Sequence, residues 1–445
     1  MDIAAAVRRL SDAVRFETVS RSNPDETAWD VFAAFADYLR QAFPLFHDTT
    51  ESTRVGGYGL VYRWPGRSDA LPVLLTAHYD VVAADGDGWS VPPFVGHTDG
   101  RRMHGRGTLD DKGSVIALLT AATTLMEASF QPARDVYIAF GCDEEQGGRL
   151  GAQRIAGHFR AQQIRFAVVL DEGGAVADGS MMGIGRPVAV IGVAEKGNNS
   201  FRLTFHGEEG HASTPPAHTA VGNMAAFIHA CETRPLPPRL TPAVKAMLAA
   251  VAPYRPGPAR VIMRHSAAFF WLLRRRLAGN RQTAAMLRTT VAFTETAAGS
   301  GHNVLPRTAA CTANVRILPG DSVSGVLAWF RTLDPAVQIE PILTNEPTGS
   351  QTADSAAFGY LAACIKAVFP DAVPVPYLMV GGTDCRHYEP LAEHAYRFLP
   401  CRVSEAELAA MHGRNESISH ENLAGMIRFY THFIENLPKE ARDGF

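Results

Sequence analysis

Three short apolar runs, Leu71–Ala77 (LPVLLTA), Val136–Phe140 (VYIAF) and Phe166–Leu170 (FAVVL), each lead into charged residues. Brief runs that are apolar throughout, and partly β-branched or aromatic, suit strands buried on both faces of a mostly parallel sheet. His78 and Asp80 follow the first run; Asp143, Glu144 and Glu145 follow the second; Asp171 and Glu172 follow the third. Between the first two, TLDDKGSVIALLTAATTLMEAS sets Val115, Leu118, Leu119, Ala122, Leu125 and Met126 at helical spacing, with Asp110 and Asp111 at the predicted helix start. The pattern predicts an α/β fold, a mixed, mostly parallel sheet with helices on both faces. In such a sheet the carboxyl ends of the strands face one crevice, where ligands bind. A histidine and at least five acids delivered to one edge repel one another too strongly to ionise together. Divalent cations resolve that conflict. Imidazole nitrogens and carboxylate oxygens, with no thiolate, suit zinc in a hydrolytic role, with manganese or cobalt as substitutes.

The texture changes near Asn198. SFRLTFHG (Ser200–Gly207) and TAACTANVRI, ending at Ile317, alternate as half-exposed strands do. Between them lie the proline-rich RPLPPRLTPA and the apolar AAFFWLL (Ala267–Leu273), which runs into Arg274, Arg275 and Arg276. After Ile342 the α/β texture returns, with a helix around Ser355–Phe369, a strand-like PVPYLMV and a closing helix from about Glu421. The 445 residues exceed one average domain. The expected organisation is a catalytic domain in two pieces, 1–197 and 343–445, interrupted by a smaller α+β domain at 198–342.

A net charge of −3 gives no basic excess to suggest nucleic acid or an anionic membrane as a partner. AAFFWLL is far short of the ~20 residues that span a bilayer. It reads as a helix packed within the inserted domain, with a lipid or membrane-surface contact as the alternative. The opening MDIAAAVRRLSDAVRF lacks the unbroken apolar run of about 7–15 residues of an export signal. Six scattered cysteines without a CxxC pair fit reduced thiols. A cytoplasmic protein is expected.

TAHYDVV, GRGTLDDKG, DEEQGG, LDEGG, GHASTPP, NVLPRTAACTANVRILPG, GGTDCRHY and HGRNESIS occur in an order that resembles the co-catalytic zinc metallopeptidases related to aminoacylase. That family includes acetylornithine deacetylase, succinyl-diaminopimelate desuccinylase and carnosine dipeptidase. The resemblance runs over nearly the whole chain. LDEGGAV, the long middle insertion and HGRNES make it most similar to the carboxypeptidase S and N-fatty-acyl-amino-acid synthase/hydrolase branch.

The resemblance implies a phosphorylase/hydrolase-like zinc peptidase domain carrying a ferredoxin-like lid that also forms a homodimer. It implies two Zn2+ per subunit, His78 and Asp171 holding one, Glu145 and His412 the other, and Asp110 bridging them. His412 is preferred over His387 and His420 because HGRNE matches the family's closing motif. Asp80 would fix the tautomer of His78 from behind. Glu144, with no metal to hold, would be the general base. The peptide between Asp110 and Asp111 is expected to be cis. His211 would reach across the dimer to the partner's oxyanion, and Asn303 and Arg316 would hold substrate from the lid. Gly381 and Gly382 would offer backbone N–H groups, and Arg386 would bind a carboxylate with its planar fork. Glu172 is read as a neighbour of Asp171, and Lys112 as a residue that caps or pairs locally near its acids.

The expected function is hydrolysis of an amide or peptide bond next to a free α-carboxylate, in a small peptide or an N-acyl amino acid. Alternatives are a deacylase of one biosynthetic intermediate and a non-catalytic binding protein that has lost a ligand or the base.

Overall fold

The computed structural model describes residues 2–85 and 87–439. Along the chain, helix α1 (Ile3–Val14) precedes a hairpin of β1 (Glu51–Val55) and β2 (Gly59–Trp64). Next come β3 (Val73–His78), α2 (Lys112–Glu127), β4 (Val136–Gly141), α3 (Ala152–Ala161), β5 (Phe166–Asp171) and β6 (Val188–Glu195). The middle of the chain supplies β7 (Gly197–His206), α4 (Ala220–Thr233), α5 (Phe270–Ala278), β8 (Thr290–Ala298), β9 (Thr308–Ile317), α6 (Val323–Leu333) and β10 (Gln338–Leu343). The last part gives α7 (Ala356–Val368), β11 (Val373–Met379), β12 (Ala392–Arg397) and α8 (His420–Glu435). Backbone contacts divide the chain into two compact units. One holds the chain up to Val193, Gln351–Tyr377 and the chain from Thr383; the other holds Ala194–Ser350 and Leu378–Gly382.

In the first unit the sheet runs β1-β2-β4-β3-β5-β12-β6-β11. Its centre, β4-β3-β5-β12, is parallel, and antiparallel pairs lie outside it. All residues of β3, β4 and β5 are buried, as their unbroken apolar character requires. Leu74 of β3 and Val169 of β5 share a cluster with Ile155 and Phe159 of α3. Helix α2 packs on β3, α1 and α8, and is buried on almost every side. The register His78 opposite Gly141 brings the ends of β3 and β4 level.

The second unit contains the antiparallel sheet β8-β9-β7-β10. With α4 and α6, its chain order β7-α4-β8-β9-α6-β10 is that of a ferredoxin-like fold. Phe201, Leu203 and Phe205 of β7 face Phe227 of α4 and Phe330 of α6 in its core.

One expectation fails here. The apolar segment Ala267–Leu273 does not pack as a buried helix: in α5 only Leu273 is buried, while Trp271 is 64% and Leu272 43% exposed. Its large residues are consecutive, whereas a helix can bury only the stripe that recurs every three or four positions.

Candidate metal centre

His78 ends β3, Asp171 ends β5, and Glu144 and Glu145 lie in a one-turn helix (Glu144–Gln146) just beyond β4. Asp110 stands two residues before α2 and forms a cis peptide bond with Asp111. His412 follows a short helix, Glu405–Ala410. Folding brings them together. His78 Nε2 lies 3.0 Å from Asp110 Oδ1, and His412 Nε2 lies 3.0 Å from Asp110 Oδ2 and 3.4 Å from Glu145 Oε1. Atoms of His78, Asp110 and Glu145 suited to ligate a metal all lie within 4.8 Å of one another. Asp171 is buried beside this group, where its charge acts on Asp111 and Glu172; its Oδ1 accepts the backbone N–H of Glu172 at 2.9 Å.

Asp80 is fully buried and organises the neighbourhood. Its carboxylate accepts from Ser20 Oγ (2.7 Å) and from the N–H groups of Glu144 (3.0 Å) and Glu145 (3.1 Å). It also lies 3.3 Å from His78 Nδ1. One carboxylate thus orients the imidazole and the turn that presents both glutamates. The Glu144 side chain makes no hydrogen bond among the described residues, so its carboxyl is held by its backbone and left free. Arg386 is half-buried, and its charge acts on Glu144 and Asp384.

The electrostatics carry the mark of excess negative charge. Burial, followed by repulsion from Asp110 and Asp171, pushes Glu172 well above the ordinary carboxylate range. Burial does the same to Glu144, Asp111 and Asp384. Both carboxylate oxygens of Asp384 and Oδ1 of Asp111 are buried without a hydrogen-bond partner among the described residues. Asp110 behaves oppositely: burial would raise it, but hydrogen bonds from His412 and His78 hold it below the usual range. Burial works against a charge on His78, yet the carboxylates of Asp110 and Asp80 outweigh it and push the imidazole well above its ordinary value. Asp110 and then Glu145 push His412 up to about 10. Two imidazoles among crowded, partly orphaned carboxyls form, once they give up their protons, a donor set that fits hard or borderline divalent cations.

Several residues in this centre carried no role in the sequence. Arg106, in GRGTLDDKG, donates to the carbonyls of Met411 and Gly413 on either side of His412. It also donates to Glu416, in HGRNES, at 2.6 Å. Glu416 in turn accepts from the N–H groups of Gly107 (2.9 Å), Leu109 (2.7 Å) and Asp110 (3.1 Å). This buried pair fastens the segment bearing His412 to the segment bearing Asp110. Ser20 and Asp384 were missed as well; the first lies in no motif, and the second stands in GGTD without a visible partner. Lys112 Nζ donates to the carbonyls of Ala13 (3.2 Å) and Phe16 (2.5 Å) and stands over the Phe35 ring, so it caps the end of α1 and, among the described residues, makes no ion pair with its neighbouring acids.

The remaining candidates lie elsewhere. Within the second unit, His211 pairs with Val304 in a short ladder, and Ala212 N donates to Asn303 O at 3.1 Å. His211 and Asn303 therefore line one cavity of about 620 Å³. His211 Nδ1 accepts from Ser213 N (3.1 Å) and contacts Ser213 Oγ (2.8 Å). Arg316 is not in that cavity. It sits opposite Asn198 at the far end of β9 from Thr308, which does line it. Gly381 and Gly382 belong to the second unit, and neither has a positive φ. A Cβ at Gly381 would meet nothing within 4 Å, so open space lies beside that backbone.

A cation-demanding cluster of imidazoles and carboxylates at the carboxyl ends of a parallel sheet, with a free glutamate beside it, marks a metal-dependent hydrolase. Residues 74–436 match the family described as Peptidase family M20/M25/M40, and the chain belongs to that family. It is 34% identical over 441 residues to the probable carboxypeptidase S-like 2 of Dictyostelium discoideum, covering 97% of this chain and 85% of the relative. It is also 34% identical over 436 residues to the N-fatty-acyl-amino acid synthase/hydrolase PM20D1 of Mus musculus, covering 96% and 86%. The fold is shared with the M20 family metallo-carboxypeptidase Sso-CP2 of Sulfolobus solfataricus, at a TM-score of 0.73 and 15% identity over 98% of this chain and 99% of that one. The protein is thus a metal-dependent hydrolase of amide or peptide bonds. These relatives do not favour a deacylase of one biosynthetic intermediate. Among the described residues no helix is long and apolar enough to cross a membrane.

Proposed function

We propose that the enzyme cuts the amide bond of an N-acyl amino acid, or the last bond of a small peptide, where the amine side bears a free α-carboxylate. The observation that carries this reading is the Glu144 carboxyl, free of hydrogen bonds among the described residues and presented by the same Asp80-anchored turn that holds Glu145 in the cluster. The printed activities of the relatives, carboxypeptidase and fatty-acyl-amino acid hydrolase, support the two substrate classes.

Two zinc ions, with cobalt or manganese as substitutes, are the proposed cofactors, His78 and Asp171 serving one, Glu145 and His412 the other, and Asp110 both. When bound, such a pair acidifies a water and polarises the scissile carbonyl. Glu144 takes a proton from the attacking water and delivers it to the leaving nitrogen. Asp80 keeps His78 in one tautomer. Arg386 binds the substrate carboxylate, Asn303 and Arg316 hold the substrate, and Gly381 and Gly382 offer backbone N–H groups. His211 stabilises the oxyanion in the site of a second copy. This dimer reading draws support from the lid: eight residues of extended strand separate Thr308 from Arg316, ~27 Å at ~3.4 Å per residue, so His211 and Arg316 of one copy do not meet at one point. Six buried cysteines, none of them in a disulfide, support a reducing compartment such as the cytoplasm.

The test is turnover of N-acyl amino acids and dipeptides, each compared with its C-terminal amide, with and without chelator. Free carboxylates should be cut and amides spared, and chelation should stop cleavage of the free carboxylates. Equal cleavage of acid and amide removes the carboxylate reader; turnover after exhaustive chelation removes the metals.

A further inference from the structure

The chain carries 42 lysines and arginines against 45 acids, yet eleven of the cations and none of the acids fall between Glu232 and Glu295. This stretch joins α4 to β8 through four helices, including Pro258–Arg264 and α5. Its surface is apolar as well as cationic. Val261 is 52% exposed, Tyr254 is exposed, and Ala267, Ala268, Trp271 and Leu272 lead directly to the exposed Arg274, Arg275 and Arg276. In α5 Leu273 is buried with Phe270 and Leu277 half-buried on the same face, Trp271 and Arg275 are stacked one turn apart on the opposite side, and the exposed Leu272 and Arg276 lie one turn apart on the flank. Arg260, Arg264, Arg274, Arg275, Arg276 and Arg281 form no ion pair among the described residues.

We propose that this face docks on an anionic lipid surface, Trp271 and Leu272 entering the boundary between headgroups and acyl chains while the arginines meet the lipid charges. Charge complementarity selects that occupant. A second copy of the same face would oppose arginine to arginine in a two-fold contact, and aliphatic side chains beside the tryptophan gain more from an acyl boundary than from nucleic-acid bases. The segment does not span the membrane, so the attachment is peripheral and salt-sensitive. The inference is independent of which amide the enzyme cuts.

Co-sedimentation of the full chain with vesicles tests it, using equal parts phosphatidylglycerol and phosphatidylcholine against phosphatidylcholine alone. The protein should partition to the mixed vesicles, and rising salt should release it. R274Q/R275Q/R276Q should weaken partition about fivefold per arginine, and W271S/L272S should abolish what remains at high salt. Both variants should turn over a short, soluble N-acyl amino acid at the parent rate, which shows that they fold. Equal partition to both vesicles, partition untouched by either variant, self-association lost in W271S/L272S, or binding to single-stranded RNA in place of vesicles would each overturn the proposal.

Discussion

At the scale of residues, the proposed roles separate side chains that hold from one that acts. Glu144→Gln keeps the shape of the turn and removes only the proton acceptor. Metal content should stay at the parent level while kcat falls at least ~100-fold, as elemental analysis and initial rates would show. Asp80→Asn removes the charge that faces His78 and two backbone N–H groups; metal affinity or activity should fall ~10–100-fold. Arg106→Met leaves the Glu416 carboxylate buried without its cation, and should destabilise the fold by about 3–5 kcal/mol in denaturant unfolding. The histidine charge also sets a pH dependence. Asp110 and Glu145 raise His412 to about 10, so the metal-free enzyme gains stability from its imidazolium below about 6.5, and that gain is lost as pH rises through about 10. A histidine can ligate a metal only as neutral imidazole, so metal binding at His412 at neutral pH would expel that proton. Apparent metal affinity should therefore climb with pH, and calorimetry in buffers of different ionisation enthalpy should register proton release.

At the scale of elements, the central strands β3, β4 and β5 were legible because burial on both faces leaves an unbroken apolar signature. The ends of β3 and β5 and the start of α2 fall within a residue or two of the patterns that predict them. What local pattern could not supply was direction. AAFFWLL reads as core by composition, but its consecutive apolar residues point around the helix. Lys112 sits beside two acids in sequence, yet helix geometry sends its side chain to the end of α1. Close approaches between elements are equally silent in sequence. Gly174, in the loop after Asp171, is such a case: a Cβ there would stand 2.0 Å from Val190 O and 3.4 Å from Arg397 O. Gly174→Ala must push that loop from β6, and should cost about 1–3 kcal/mol of stability, measured by thermal unfolding.

At the scale of the whole molecule, stability and activity should depend on the same ions. A ligand that binds only the folded chain stabilises it by about 4 kcal/mol at a thousandfold excess over its Kd. Chelation should therefore lower the unfolding temperature together with turnover, and added zinc should restore both. The sequence by itself determined which candidate donors are brought to the strand ends, in what order, and that two glutamates stand side by side after β4. Those features are set by residue type and by position at strand ends. Tertiary structure alone decided the supports. Arg106 finds Glu416 310 positions away, Ser20 finds Asp80 60 positions away, and His211 and Arg316 are parted by the length of a strand. Such pairings depend on which segments the packed core closes into contact, and loop closure over hundreds of residues leaves no periodic trace in the chain.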